Sequence, residues 1–197
     1  MFEDTVNDVI AEQKIPAYYV NCNLYDNVLH TVEVLGVAFG KEDMVREIIN
    51  DYNTRTGEAL AMAEGKEAPS VMILFGTTQS YMIGSEYTFV GDLAKKLGAV
   101  NITGAMGIDD ATAKTGFLPL SEESAIAANP DYILCLGHGS AEMQAVFEEK
   151  FMTAEAWSGV TAIKEGNVVY LDPSLFATNG GIHAIDSLIT LAEILYQ

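Results

Sequence analysis

Residues 130–143 read PDYILCLGHGSAEM. Tyr132 to Leu136 is an unbroken run of five apolar or aromatic residues, with Pro130 ahead of it and Gly137 behind. A short continuous run of this kind is the pattern of a strand buried on both faces, as in a parallel sheet. Gly137 and Gly139 mark a turn. After them Met143, Val146, Phe147 and Phe151 recur on one side of a helix expected over 140–151. Strand, glycine turn and amphipathic helix in that order make a βα unit, which leaves His138 at the carboxyl end of a buried strand.

The same punctuation repeats on either side. After Pro69 the spacing predicts a strand over Val71–Phe75, a helix over Phe89–Leu97 closed by Gly98, and a short strand over Val100–Thr103. A helix over Glu122–Ala128 capped by Ser121, a strand over Asn167–Leu171 and a helix over 182–196 follow. Alternation of this kind predicts an α/β fold, a parallel-sheet lobe with helices on both faces. Upstream, residues 2–13 read as a helix end and Ile15–Val20 as a short strand. Asp26 is placed to cap a helix bearing Val28, Val32, Leu35 and Phe39 and ending at Gly40. Residues 41–66 carry Met44, Val45, Ile48, Ile49, Tyr52, Leu60 and Ala63 at helical spacing. They form either one helix of about 39 Å at 1.5 Å per residue or two helices broken at Gly57. No internal repeat or low-complexity segment interrupts the chain.

Composition narrows the function. Among 197 residues, 49% are apolar, enough for a packed core, and 28 acidic against 10 basic residues give a net charge of −18. That balance argues against nucleic acid and anionic membrane as partners, because both need clustered Lys and Arg. Phe2-Glu3-Asp4 directly follows Met1, so no export signal or lipid-attachment cysteine is expected at the start. No apolar run reaches the roughly 18–20 residues of a membrane span, and the chain is expected to be soluble. Cys22 and Cys135 fix neither a disulfide nor a compartment.

Ligands of open α/β sheets bind beyond the carboxyl ends of the strands. Three loops therefore matter, 76–88, 137–140 and 172–182. They supply His138, Tyr81, Met82, Tyr87 and Phe176, a set suited to a flat, apolar, metal-bearing ligand. The bland alternative is that these aromatics and Met82 are core or loop packing and that His138 is a turn residue. Phosphate-binding glycine loops, the G-x-S-x-G elbow, H-E-x-x-H and C-x-x-C are all absent from the sequence. Cys135-Leu136-Gly137-His138 lacks the second cysteine of covalent haem attachment. Asp109-Asp110 and Glu122-Glu123 are weak signals for acid–base chemistry, since first-turn carboxylates favour the helix dipole.

YTFVGDLAKKLGAVNIT, FLPLSEESAIAANPDYILCLGHG and AWSGVTAIKEGNVVYLDP, in that order, resemble the C-terminal lobe of the class III substrate-binding proteins of ABC importers. VIAEQKIPAYYV and LGVAFGKEDMVREIINDYN resemble the end of the N-terminal lobe and the linking helix. The resemblance is strongest to the haem-receptor lipoproteins of Gram-positive surface haem uptake. It implies a remnant of the N-terminal lobe over 1–40, a linking helix over 41–66 and a C-terminal ligand-binding lobe over 67–197. It implies His138 as an axial ligand of haem iron, with haem as transported ligand and no catalytic cofactor. A methionine ligand would lie in the part of the N-terminal lobe, on the order of 100 residues, that has no counterpart here. Met82 or Tyr87 is expected to substitute for it. The resemblance further implies an ABC importer permease as partner, docked through Glu123 first and Glu122 second. For the full-length parent it implies a location on the extracellular face of the cell membrane or in the periplasm. Ferric siderophore and cobalamin are the alternative ligands, and the scarcity of arginine, only Arg46 and Arg55, favours haem. An enzyme using His138 as acid or base with Glu86 is the alternative of a different class. Self-association through residues 1–66 is expected from an unpaired strand at 15–20 and an apolar helix side.

Overall fold

A computed structural model describes residues 2–76, 80–137, 141–177 and 179–197, with backbone only at 2–5 and 141–143. Three helices come first: α1 (Phe2–Glu12), α2 (Tyr25–Ala38) and α3 (Glu42–Ala63). The sheet-bearing part follows as β1 (Ser70–Gly76), β2 (Tyr81–Gly84), α4 (Phe89–Lys96), β3 (Val100–Asn101), α5 (Asp110–Ala113) and β4 (Phe117–Pro119). It continues with α6 (Glu122–Ala128), β5 (Tyr132–Leu136), α7 (Ala141–Phe147), a π-helical turn (Glu148–Met152), a 3-10 turn (Glu155–Trp157), α8 (Thr161–Glu165), β6 (Val168–Tyr170) and α9 (Ala184–Tyr196).

The strands lie in the order β4-β2-β1-β5-β6, with β3 also on β1. β1 pairs in parallel with β5 along its length, and β5 with β6. The other edge of β1 is shared: β3 pairs in parallel with Ser70 and Val71, and β2 runs antiparallel beside Ile73–Gly76. Asn101 fills the junction, its Nδ2 donating to Gly84 O at 2.9 Å while its Oδ1 accepts from Thr103 N and Oγ1. The sheet is therefore mixed rather than wholly parallel. Part of the expected loop 76–88 is a strand, because Tyr81–Gly84 folds back onto β1.

Side chains alternate between two cores. Val71, Ile73, Leu134 and Leu136 face the larger one with α3, α4 and α9, whereas Met72, Leu74, Ile133 and Cys135 face the one under Phe147, Phe151 and Trp157. Burial on both faces explains why β1 and β5 read as continuous apolar runs.

Local chemistry fixes the helix ends. Thr88 Oγ1 accepts from Gly91 N at 3.2 Å to open α4, and Ser121 Oγ from Ser124 N at 3.4 Å to open α6. Asn129 closes α6 in the left-handed region at φ 47° before Pro130. α3 is one continuous helix, and Gly57 lies inside it. α2 starts at Tyr25, and its cap is not Asp26. Asp92 of α4 reaches across and accepts from Tyr25 N at 2.8 Å, while Asp26 pairs with Lys96 at 3.1 Å. Residues 15–20, expected as a strand, carry no regular secondary structure, and the six strands among the described residues all lie between residues 70 and 170.

Candidate functional site

Gly76 at the end of β1, Tyr81 at the start of β2, Leu120 after β4, Gly137 after β5 and Leu171 after β6 share one end of the sheet. Antiparallel pairing of β2 brings Tyr81 opposite Gly76, and Leu120 N donates to Tyr81 O at 3.4 Å. Beneath this edge the rings interlock. Tyr81 meets Phe147 and Phe151 edge-on with centroids 5.4 and 5.0 Å apart, Phe151 meets Trp157 at 5.1 Å, and Phe147 lies 6.3 Å from Tyr170. A Cβ at Gly76 would stand 2.8 Å from both Phe147 Cζ and Tyr81 Cδ1, so only glycine lets the two rings close over the strand end.

Among the described residues a cation and a carboxylate meet at this edge. Lys150, in the π-helical turn, sits 4.5 Å from the Tyr81 ring centroid and 3.1 Å from Glu122 Oε1. Glu122 Oε2 also accepts from the indole Nε1 of buried Trp157 at 3.1 Å. Burial opposes ionisation of Glu122, but the bonds from Trp157 and Lys150 together hold its carboxyl below the ordinary glutamate range. Burial raises the Tyr81 phenol against the opposing pull of Lys150, and burial pushes Tyr170 up to about 12. Both stay neutral donors near pH 7.

The expected residues fall as follows. His138 lies outside the described residues, and its neighbour Gly137 is the last described residue above Phe147, whose Cε2 is 3.9 Å from the Gly137 Cβ position. Tyr81 is half-buried at the edge. Met82 is on β2 between Phe75 and Pro119, on the opposite face of the sheet from Tyr81. Tyr87 is not in the same crevice, since β2 carries the chain away from Tyr81 before reaching it. Its hydroxyl donates to Asp110, which holds the phenol above its ordinary range, and Lys95 and Lys114 flank its ring. Glu86 goes the same way and pairs with Lys95 at 2.9 Å, far from the end of β5. Phe176 is only 3% exposed and packs in the larger core. Glu123 is exposed on the first turn of α6, next to the engaged Glu122. Phe147 was expected on a helix side but not at the site, and Trp157, Tyr170 and Lys150 were not among the expected site residues. The signal available for Tyr170 was an aromatic at a strand's carboxyl end.

The third loop is pinned from several sides. Gly180 N donates to Cys22 O at 2.7 Å, Tyr52 of α3 donates to Ile182 O, and Arg55 of α3 pairs with Asp186 of α9. Among the described residues no group of three or more His, Cys, Asp or Glu converges to hold a metal. No helix there is long and apolar enough to cross a membrane.

The sequence profile of the family described as periplasmic binding protein matches residues 4–175. The high-affinity heme uptake system protein IsdE of Staphylococcus aureus strain MRSA252 is 23% identical over 198 aligned residues. That alignment takes in 99% of this chain and 65% of the relative, so the chain spans less than two thirds of that protein. An ABC transporter substrate-binding protein from Listeria monocytogenes EGD-e superposes with a TM-score of 0.84 at 26% identity, over 98% of this chain and 73% of that one. S. aureus IsdE complexed with heme has the same fold at a TM-score of 0.80 and 22% identity, over 99% of this chain and 74% of that one.

Proposed function

The chain belongs to the periplasmic binding protein family, and on that premise we propose that it binds haem at the carboxyl edge of its sheet and delivers it to an ABC importer permease. Glu86, the carboxylate that an acid–base role for His138 would call on, is instead paired with Lys95, away from the end of β5. The observation that carries the haem reading is the floor of Tyr81, Phe147 and Tyr170 rings under the strand end that leads into Gly137 and His138. A flat porphyrin matches such a floor, and an imidazole at the adjoining loop supplies an iron ligand. The heme-uptake relative, aligned along nearly the whole chain, supports the same ligand.

In this reading residues 67–197 are the ligand-binding lobe, 41–66 the linking helix and 1–40 part of the other lobe. Glu123 is the permease contact, because Glu122 is already engaged by Lys150 and Trp157. Nine of the twelve exposed large apolar side chains among the described residues fall in residues 1–66, and they drive self-association of this chain.

Absorbance and fluorescence titrations with haem, a ferric catecholate siderophore and cobalamin test the ligand. Haem saturating at one equivalent, and tighter than the other two, is the expected result. Tighter binding of either competitor would overturn the haem reading.

A further inference from the structure

We propose that Lys150 is the anion-recognition residue of this edge, the group that selects a ligand carrying carboxylates over a neutral ligand of the same shape. The inference rests on the haem reading above and adds to it the specificity determinant. Four observations converge on Lys150. In a chain of net charge −18 it is, among the described residues, the cation in contact with the aromatic cluster, its Nζ lying 4.5 Å from the Tyr81 centroid and 5.7 Å from that of Phe151. It is carried on a π-helical turn, Glu148–Met152, a local departure from α geometry that recurs at functional sites. Its side chain is 40% exposed, so the ammonium remains reachable from solvent. Its carboxylate partner among the described residues is Glu122 at 3.1 Å, whose second oxygen is separately held by Trp157. The site is thus already arranged to hold one carboxylate against Lys150, and an ammonium has three donors to share. Haem brings two carboxylates on an otherwise apolar plane. Stacking that plane by the Tyr81 ring carries a propionate into reach of the cation above the same ring.

Ferric haem and its dimethyl ester share the macrocycle and the iron and differ only in those charges. By Soret titration the chain is expected to bind haem about tenfold more tightly than the ester, the scale of one charge-assisted hydrogen bond. The preference should shrink as salt rises. Lys150→Gln should erase the preference while leaving ester binding unchanged, and Lys150→Arg should keep it. Glu122→Gln, which removes the competing carboxylate, should strengthen haem binding and leave the ester alone. An unaltered preference in Lys150→Gln, with native circular dichroism, overturns the Lys150 assignment and leaves the haem reading intact. A parent chain that binds neither porphyrin overturns the haem reading, and this assignment with it.

Discussion

Gly76→Ala is the most informative single change to the floor of the site. The added methyl would meet Phe147 Cζ and Tyr81 Cδ1 at 2.8 Å, about 0.6 Å inside the 3.4 Å at which ordinary contacts begin. Each ring is backed by a further ring. Phe147 lies 6.0 Å from Phe151, and Tyr81 lies 5.0 Å from Phe151, which in turn abuts buried Trp157. Overpacking of a filled site costs roughly 1–3 kcal/mol. Alanine returns roughly 0.5–1 kcal/mol of the entropy that glycine loses in a strand. The net is a loss centred near roughly 1 kcal/mol within a span of about 0–2.5 kcal/mol, which lowers a urea midpoint by roughly 0.5 M at a slope near 2 kcal/mol/M. Phe147→Leu removes one of the two clashing rings. In a double-mutant cycle the pair should therefore be less destabilised than the sum of the single changes. Equilibrium urea unfolding followed by circular dichroism measures all four proteins. A Gly76→Ala chain as stable as the parent, with additive effects in the cycle, would refute the account of the closed ring floor.

Three further outcomes follow from particular contacts. Glu122 has a folded pKa below its ordinary value of 4.5, so its contribution to stability is fully present above that value and is lost as pH falls through the lower folded one. Trp157 is the only tryptophan and donates to that carboxylate, so its fluorescence should change below pH 4.5 in the parent and not in Glu122→Gln; identical pH profiles would count against the pairing. Cys135 is buried and its thiol is pushed up to about 12, whereas Cys22 is half-buried, so a disulfide reagent at neutral pH should label Cys22 first and Cys135 only with denaturant. Phe39 is 72% exposed at the end of α2, and Phe39→Asp should shift a concentration-dependent oligomer toward monomer in light scattering; a parent that is monomeric at high concentration removes the self-association proposal.

The sequence carried the layered α/β plan because burial on both faces makes strands such as β1 and β5 continuous apolar runs, which punctuation by Pro69, Gly98, Asn129-Pro130 and Gly137 sets off. Ser121 was legible as a cap because its bond is local, to Ser124. The cap of α2 was not, because Asp92 arrives from 67 residues away while Asp26 stands in the expected place. β2 was hidden because four residues, YMIG, carry too little periodicity to announce a strand, and reading them as loop put Tyr87 and Glu86 at the wrong end of the sheet. The ring floor was half legible. Phe147 and Phe151 showed helical spacing, but their meeting with Tyr81 and Tyr170 depends on strand order. The contact of Lys150 with Glu122 depends on how α7 and its π-helical turn lie beside α6, which no local pattern encodes.

The central claim is that the imidazole of His138 ligates the iron of bound haem. Soret and visible spectra of the haem-loaded chain, compared among His138→Ala, His30→Ala and His183→Ala, test it most directly. Loss of the imidazole signature in His138→Ala alone is the predicted result. All three variants binding haem with the parent's spectrum would contradict the claim and make His138 a turn residue.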